Sequence, residues 1–224
     1  RMSSRMMMAS TLRKKGYTTA QLNAMTNEQM LAAIGGKNGT GKPGAASPTK
    51  KPAVAPPLAT KFKPLPKRLV LDAFVDGLGK TAEEKTGYRT LFSGILKAYE
   101  TEAKKLKLEN DVAAAMAFNV ATNYSLYHPG VTISDAGSNA LVAQFRGVLD
   151  NENLRKASNT DKQKLHEVFL LLAAYSLTIN QIAGGQSDPQ VKKAAQMLAG
   201  EGLRYLLKTD PAKVKITNNG LESA

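Results

Sequence analysis

VAAAMAFNVATNYSLY, residues 112–127, decides the fold. No charged residue occurs between Val112 and Tyr127. A helix without a charged face belongs inside a bundle, because a surface helix needs a polar side. Asn110 is a favourable N-cap ahead of it, and His128-Pro129-Gly130 stops it. A second stretch free of charge runs from Val168 to Ser187. Thr160 with Gln163 gives it a start signal and Gly184-Gly185 a stop. Two such helices predict a core pair with amphipathic helices packed around it.

Working outward, Thr81 and Glu84 form a capping box. Behind it Tyr88, Leu91, Phe92, Ile95, Leu96, Tyr99, Ala103 and Leu106 recur at helical spacing. Lys104, Lys105 and Lys107 complement the dipole at the far end. Further helices are expected near 67–78, from Ser134 to Asp150, and from Pro189 to Lys208, where proline is tolerated in a first turn. The one strand-like run, Val214 to Thr217, lies in a basic C-terminal tail, residues 210–224. The expected fold class is all-α, a bundle of five to seven helices over 66–209.

Net charge is +13 over 224 residues, and it is unevenly placed. Residues 1–68 carry 13 Lys and Arg against one acid, Glu28, whereas residues 69–224 carry 18 against 17 acids. This predicts a basic N-terminal arm on a near-neutral body. Within the arm, residues 1–34 read as short helices and 35–65 as a Gly/Pro/Lys-rich linker with polyproline-like extension up to Pro66. If the linker is ordered, something outside its own chain is expected to hold it. Arg13, Lys14, Lys15, Lys37, Lys42, Lys50, Lys51, Lys61, Lys63, Lys67 and Arg68 are the candidate contacts to an anionic partner. Met6, Met7, Met8, Leu12, Leu22, Met30 and Leu31 are candidate apolar contacts to a protein partner. The expected partner is a protein in a larger assembly, with a nucleic acid or an anionic membrane as alternatives. The arm's aromatics are Tyr17 and Phe62, too few for much base stacking.

Chemistry-bearing residues are scarce. Cysteine is absent and there are two histidines, His128 and His166. Thiolate chemistry is excluded, and no metal site, cofactor or enzymatic activity is expected. His128 and His166 read as capping or surface residues. Gly36-Lys37-Asn38-Gly39-Thr40-Gly41-Lys42 has the spacing of a phosphate-binding loop. Pro43 stands where the motif needs Ser or Thr, and no strand precedes it. Asn119 and Asn123, four apart on one helical face, form with Tyr124 and Tyr127 the candidate pocket for a small molecule. The apolar run Val168 to Ile179 is too short to cross a bilayer, so no transmembrane helix is expected.

Three stretches carry a resemblance: LVLDAFVDGLG at 69–79, ENDVAAAMAFNVATNYSLYH at 109–128 and NALVAQFRGVL at 139–149. Over residues 66–208 the chain resembles an uncharacterised bacterial family of exported all-helical proteins, a domain of unknown function. The resemblance implies an all-helical fold and an extracytoplasmic location, and it transfers no catalytic residues. The basic arm and the Pro-rich linker depart from its pattern.

Overall fold

The structure, a computed structural model, describes residues 58–223. Among these, seven α-helices follow one another: α1 (Leu71–Leu78), α2 (Ala82–Lys105), α3 (Val112–Tyr127), α4 (Asp135–Leu149), α5 (Glu152–Lys156), α6 (Asn159–Gly184) and α7 (Pro189–Leu207). A 3-10 turn (Pro211–Lys213) then leads into a hairpin, β1 (Val214–Thr217) and β2 (Gly220–Ser223). The fold is all-α but for this hairpin.

The two uncharged segments pack on one another as α3 and α6. α3 feeds two apolar clusters at once. Val112 and Ala115 join Leu71, Val75, Phe92, Leu96, Phe169, Leu170, Leu171 and Ala174. Ala113, Ala114, Ala117, Val120 and Tyr124 join Leu141, Val142, Phe145, Leu203 and Val214. A helix buried on opposite sides has no face left for charge, which is why α3 carries none. Phe92 and Leu96 are fully buried, and each such side chain contributes about 1.5–3 kcal/mol of transfer free energy.

Helix starts follow local chemistry, with some departures from expectation. The Thr81–Glu84 capping box forms in full. Ser134 caps α4, and Pro189 occupies the first turn of α7 behind the cap Asp188. α3 is capped by Asp111 and not by Asn110, which sits in the left-handed region at φ 52°. The cap is wholly buried, because its second carboxylate oxygen takes Nε and Nη2 of Arg146 at 2.9 and 2.6 Å. α6 begins behind Ser158, two residues before Thr160, and Ser158 Oγ accepts the Asp161 amide at 3.1 Å.

The expected C-terminal tail is a packed element. Gln144 of α4 both accepts the Leu221 amide (2.7 Å) and donates to the Leu221 carbonyl (3.2 Å), so it reads the hairpin backbone as a neighbouring strand would. Gly220 sits at φ +100°, and a Cβ there would collide with Gln144 Oε1. The positive φ is what demands glycine here, while the side-chain end of Gln144 would have to move aside for a Cβ.

α6 is long and apolar enough to cross a membrane by length and composition, in contrast to the shorter run read from sequence. In this fold half of that window is buried, and the helix packs against α1, α2, α3 and α7.

Candidate functional site

The polar chemistry of the described residues gathers under a strap, residues 58–70, that runs over α6. α6 presents Asn159, Gln163 and Glu167 at intervals of four, hence on one face. The Lys63 amide donates to Asn159 Oδ1 (3.0 Å) and the Leu65 amide to Gln163 Oε1 (2.7 Å). Gln163 Nε2 donates to the Lys67 carbonyl and to Glu167 Oε1, both at 2.9 Å. Glu167 Oε2 then accepts the amides of Leu69 and Val70, both at 2.8 Å.

Geometry explains the match. Four residues of helix rise about 6 Å, and two residues of extended chain span about 6.6 Å. Lys63 and Leu65 therefore keep step with Asn159 and Gln163, after which the strap advances to Leu69 and Val70 before it meets Glu167. Pro64 and Pro66, which have no amide hydrogen, occupy the positions between the rungs. Glu167 also solves a local problem, since Val70 precedes α1 and has no side chain able to cap it. The carboxylate arrives from another helix instead.

The strap is fastened at both ends. At its start Lys61 pairs in a β-bridge with Asp111, Phe62 N–H donates to the Asn110 carbonyl and Val112 N–H donates to the Thr60 carbonyl. Lys61 Nζ donates to the carbonyls of Lys107 (3.2 Å) and Glu109 (2.7 Å). Further along, Arg68 forms a two-pronged ion pair with Glu100 of α2, at 2.5 and 2.8 Å.

Beneath the strap lies a cavity of about 230 Å³ lined by Phe62, Arg68, Glu100, Asn110, Gln163, His166 and Glu167 among others. His166 is 4% exposed and its ring meets Phe62 at 5.2 Å and Tyr99 at 6.0 Å between centroids. Burial pushes its pKa down to about 4, with Arg68 and Lys61 reinforcing the shift and Glu100 and Asp111 opposing it. The imidazole is therefore uncharged at neutral pH. Burial, with Asp111 and Glu100 close by, raises the Tyr99 hydroxyl above its ordinary range. Neither His166 Nε2 nor Tyr99 Oη has a hydrogen-bond partner among the described residues. The arrangement places a buried, neutral imidazole under a segment whose backbone is hydrogen-bonded to the side chains of α6.

Several expectations change accordingly. Of the stretch read as linker, residues 58–65 are held by this chain's own helices, and residues 35–57 lie outside the described residues. Lys61 and Arg68 have carbonyl or carboxylate partners on the body, so they are part of its fastening, whereas Lys63 and Lys67 are exposed. His166 is a core residue, not a surface one. His128 does end α3, with its ring 4.7 and 4.8 Å from those of Tyr124 and Tyr127. The remaining arm candidates lie outside the described residues: Arg13, Lys14, Lys15, Lys37, Lys42, Lys50 and Lys51, and the apolar set from Met6 to Leu31. The same holds for the loop at 36–42.

The pocket expected at Asn119, Asn123, Tyr124 and Tyr127 is filled. Asn119 and Asn123 are each 1% exposed. Asn119 Nδ2 donates to the Phe169 carbonyl at 2.8 Å, and Asn123 Nδ2 to Asn119 O and Oδ1 at 3.0 and 3.1 Å. α7 presses on them from the other side. A Cβ on Gly202 would come within 3.1 Å of Asn123 Oδ1, and one on Gly200 within 2.8 Å of the Tyr127 ring. Asn119 ties α3 to α6, and Asn123 bonds back to Asn119 with its Oδ1 buried against α7 and unpartnered among the described residues.

The residues that build the strap site, Asn159, Gln163, Glu167, Glu100 and Phe62, escape a sequence reading centred on charge. One signal was available: Asn159, Gln163 and Glu167, hydrogen-bonding side chains recurring every fourth residue along one helix. Among the described residues no three of His, Asp and Glu converge as a metal site would require.

No curated protein and no solved structure matches the chain. One family model does match, over residues 2–224, so the matched pattern takes in the basic arm and linker as well as the 66–208 region. The chain belongs to the family of unknown function DUF6683.

Proposed function

We propose that this chain is a non-enzymatic interaction protein, exported from the cytoplasm, whose basic N-terminal arm anchors the helical body to an acidic surface of a larger protein assembly. The observation that carries the reading is the junction. The chain N-terminal to Leu58 is joined to a strap hydrogen-bonded to α6 and the α2–α3 loop and ion-paired to α2. Tension on the arm would therefore pass straight into the core. The charge asymmetry supports a polyanionic partner. Phe62 is packed on His166, which leaves Tyr17 as the arm's one remaining aromatic. That favours a protein surface over single-stranded nucleic acid, where stacking supplies much of the affinity.

The test uses the full chain with Arg13, Lys14, Lys15, Lys50 and Lys51 all changed to Gln. These positions lie outside the strap, so circular dichroism and melting should be unchanged. Recovery of a defined protein partner from the native source should fall by about tenfold or more, in keeping with the loss of several ion contacts. Equal recovery by both chains would contradict the proposal. So would binding to any duplex or anionic vesicle with a steep salt slope and no protein partner, which is the signature of bulk polyanion binding.

A further inference from the structure

Three helix ends meet at one end of the bundle, and each arrives there with short side chains. α3 stops at His128-Pro129-Gly130, α6 stops at Gly184-Gly185, and α7 starts at Pro189. Leu126, Pro129, Ala183, Gly184 and Pro189 border an open cleft of about 610 Å³. A Cβ built on Gly184 would meet nothing within 4 Å, so the α6 wall has room to spare. The volume falls within the range of roughly 300–1,000 Å³ typical of small-molecule sites. These five residues give the cleft an apolar floor.

The polar part of the lining is one-sided. Lys192 and Lys193 both line the cleft, together with Asn180 and Gln196, and no Asp or Glu does. The nearest acid in sequence, Asp188, is engaged as the cap of α7 and accepts the Gln190 amide at 2.8 Å. Nor are the lysines needed as caps for the two helices that end here. The Gly185 amide donates to the carbonyls of Gln181 and Ile182, the Gln186 amide to that of Ala183, and Gln196 Nε2 to that of Tyr127. Two ammonium groups, each with three donors and no acceptor, are left at the edge of an apolar floor. The complementary ligand brings about two negative charges and several acceptor oxygens on an apolar body. A phosphate monoester meets that description, with a charge of about −1.5 to −2 at neutral pH and three strong acceptor oxygens. Lysine binds such a group as a point charge. We infer that this cleft binds a small phosphomonoester, with its phosphate at Lys192 and Lys193 and its apolar body on Leu126, Ala183 and Pro189. None of these residues belongs to the arm or the strap.

The test is a calorimetric titration of the full chain with phenyl phosphate at neutral pH. The expected result is saturable binding at one site per chain. Changing Lys192 and Lys193 together to Gln should weaken binding by about tenfold, as the loss of two exposed ion contacts does. Gly184→Leu should weaken it by a similar factor, because the new side chain takes the space of the phenyl ring. Circular dichroism should show both variants folded, since both lysines are exposed and a Cβ at 184 meets no neighbour. Changing Lys104 and Lys107 together to Gln alters net charge by the same amount and should leave binding as in the parent. Benzoate, with one charge, and inorganic phosphate, with no apolar body, should each bind at least about threefold more weakly. The inference is overturned if binding does not saturate, or if either cleft variant binds as the parent does. It is also overturned if the Lys104 and Lys107 variant loses as much as the cleft lysine variant, or if benzoate or inorganic phosphate binds as tightly as phenyl phosphate. Binding to vesicles that contain phosphatidic acid, with no response to phenyl phosphate, would overturn it too, by assigning the lysines to a lipid surface.

Discussion

Changing Glu167 to Ala should lower the stability of the fold by about 3–5 kcal/mol, because each buried amide left without its acceptor costs about 1–3 kcal/mol. The side chain is 1% exposed and accepts three hydrogen bonds, from the amides of Leu69 and Val70 and from Gln163 Nε2. Truncation leaves two backbone amides at the start of α1 without acceptors, and α1 has no cap of its own. It also frees Gln163, which holds Leu65 and Lys67, so the damage travels along the strap. Glu167→Gln keeps an acceptor oxygen but turns an amide group towards Gln163, and should cost about 1–2 kcal/mol. Urea unfolding followed by circular dichroism measures both. A Glu167→Ala midpoint within error of the parent would show that the strap does not contribute to the core.

The second large effect concerns pH. With a folded pKa of about 4 for His166 and an ordinary value of 6.5, the unfolded chain takes up the proton first as pH falls. Between those two values the unfolded state binds more protons than the folded one, so stability rises with pH there. Stability is therefore complete above about pH 6.5, is lost progressively down to about pH 4, and changes no further on this account below that. The full span is about 3 kcal/mol, because each tenfold loss of proton affinity on folding is worth about 1.4 kcal/mol. The charges around the ring work both ways. Arg68 and Lys61 deepen the shift, while Glu100 and Asp111 soften it. Acid also protonates carboxylates elsewhere, so the useful quantity is the difference between the parent and His166→Gln. That difference should change by about 3 kcal/mol between pH 7 and pH 4, in the direction that favours the variant at low pH. Parallel pH profiles for the two chains would contradict the buried placement of this histidine.

Much of the helical order is legible in the sequence because it depends on local rules. The capping box at Thr81, the proline at 189, the stop at Gly184-Gly185, the uncharged α3 and the uncharged stretch of α6 after Glu167 each follow from residues within one turn of the feature. What sequence reading misses is long-range. Asn110 and Asp111 are both good caps taken alone, and the choice between them rests on Arg146, which is 35 residues away. FKPLPKRL at 62–69 has the composition of a linker, and its order comes from partners nearly 100 residues further on. Its prolines suggest an open chain, yet both occupy positions from which the ladder to α6 takes no donor. Asn119 and Asn123 show the opposite error. Polar residues on an apolar helix suggest a pocket, whereas burial turns Asn123 Nδ2 onto Asn119 and Asn119 Nδ2 onto the next helix. His166 is misread for a related reason, since its neighbours in sequence are charged and its neighbours in space are Phe62 and Tyr99.

Amide hydrogen exchange in the full-length chain, resolved at Leu65, Leu69 and Val70, tests the role of the strap most directly. If the Gln163–Glu167 ladder makes these residues part of the core, their amides should exchange as slowly as those of Phe92 and Leu170, opening only with global unfolding. Exchange at the free-peptide rate, while Phe92 and Leu170 stay protected, would mean that the strap is a loose end of the arm and that no firm anchor joins arm to body.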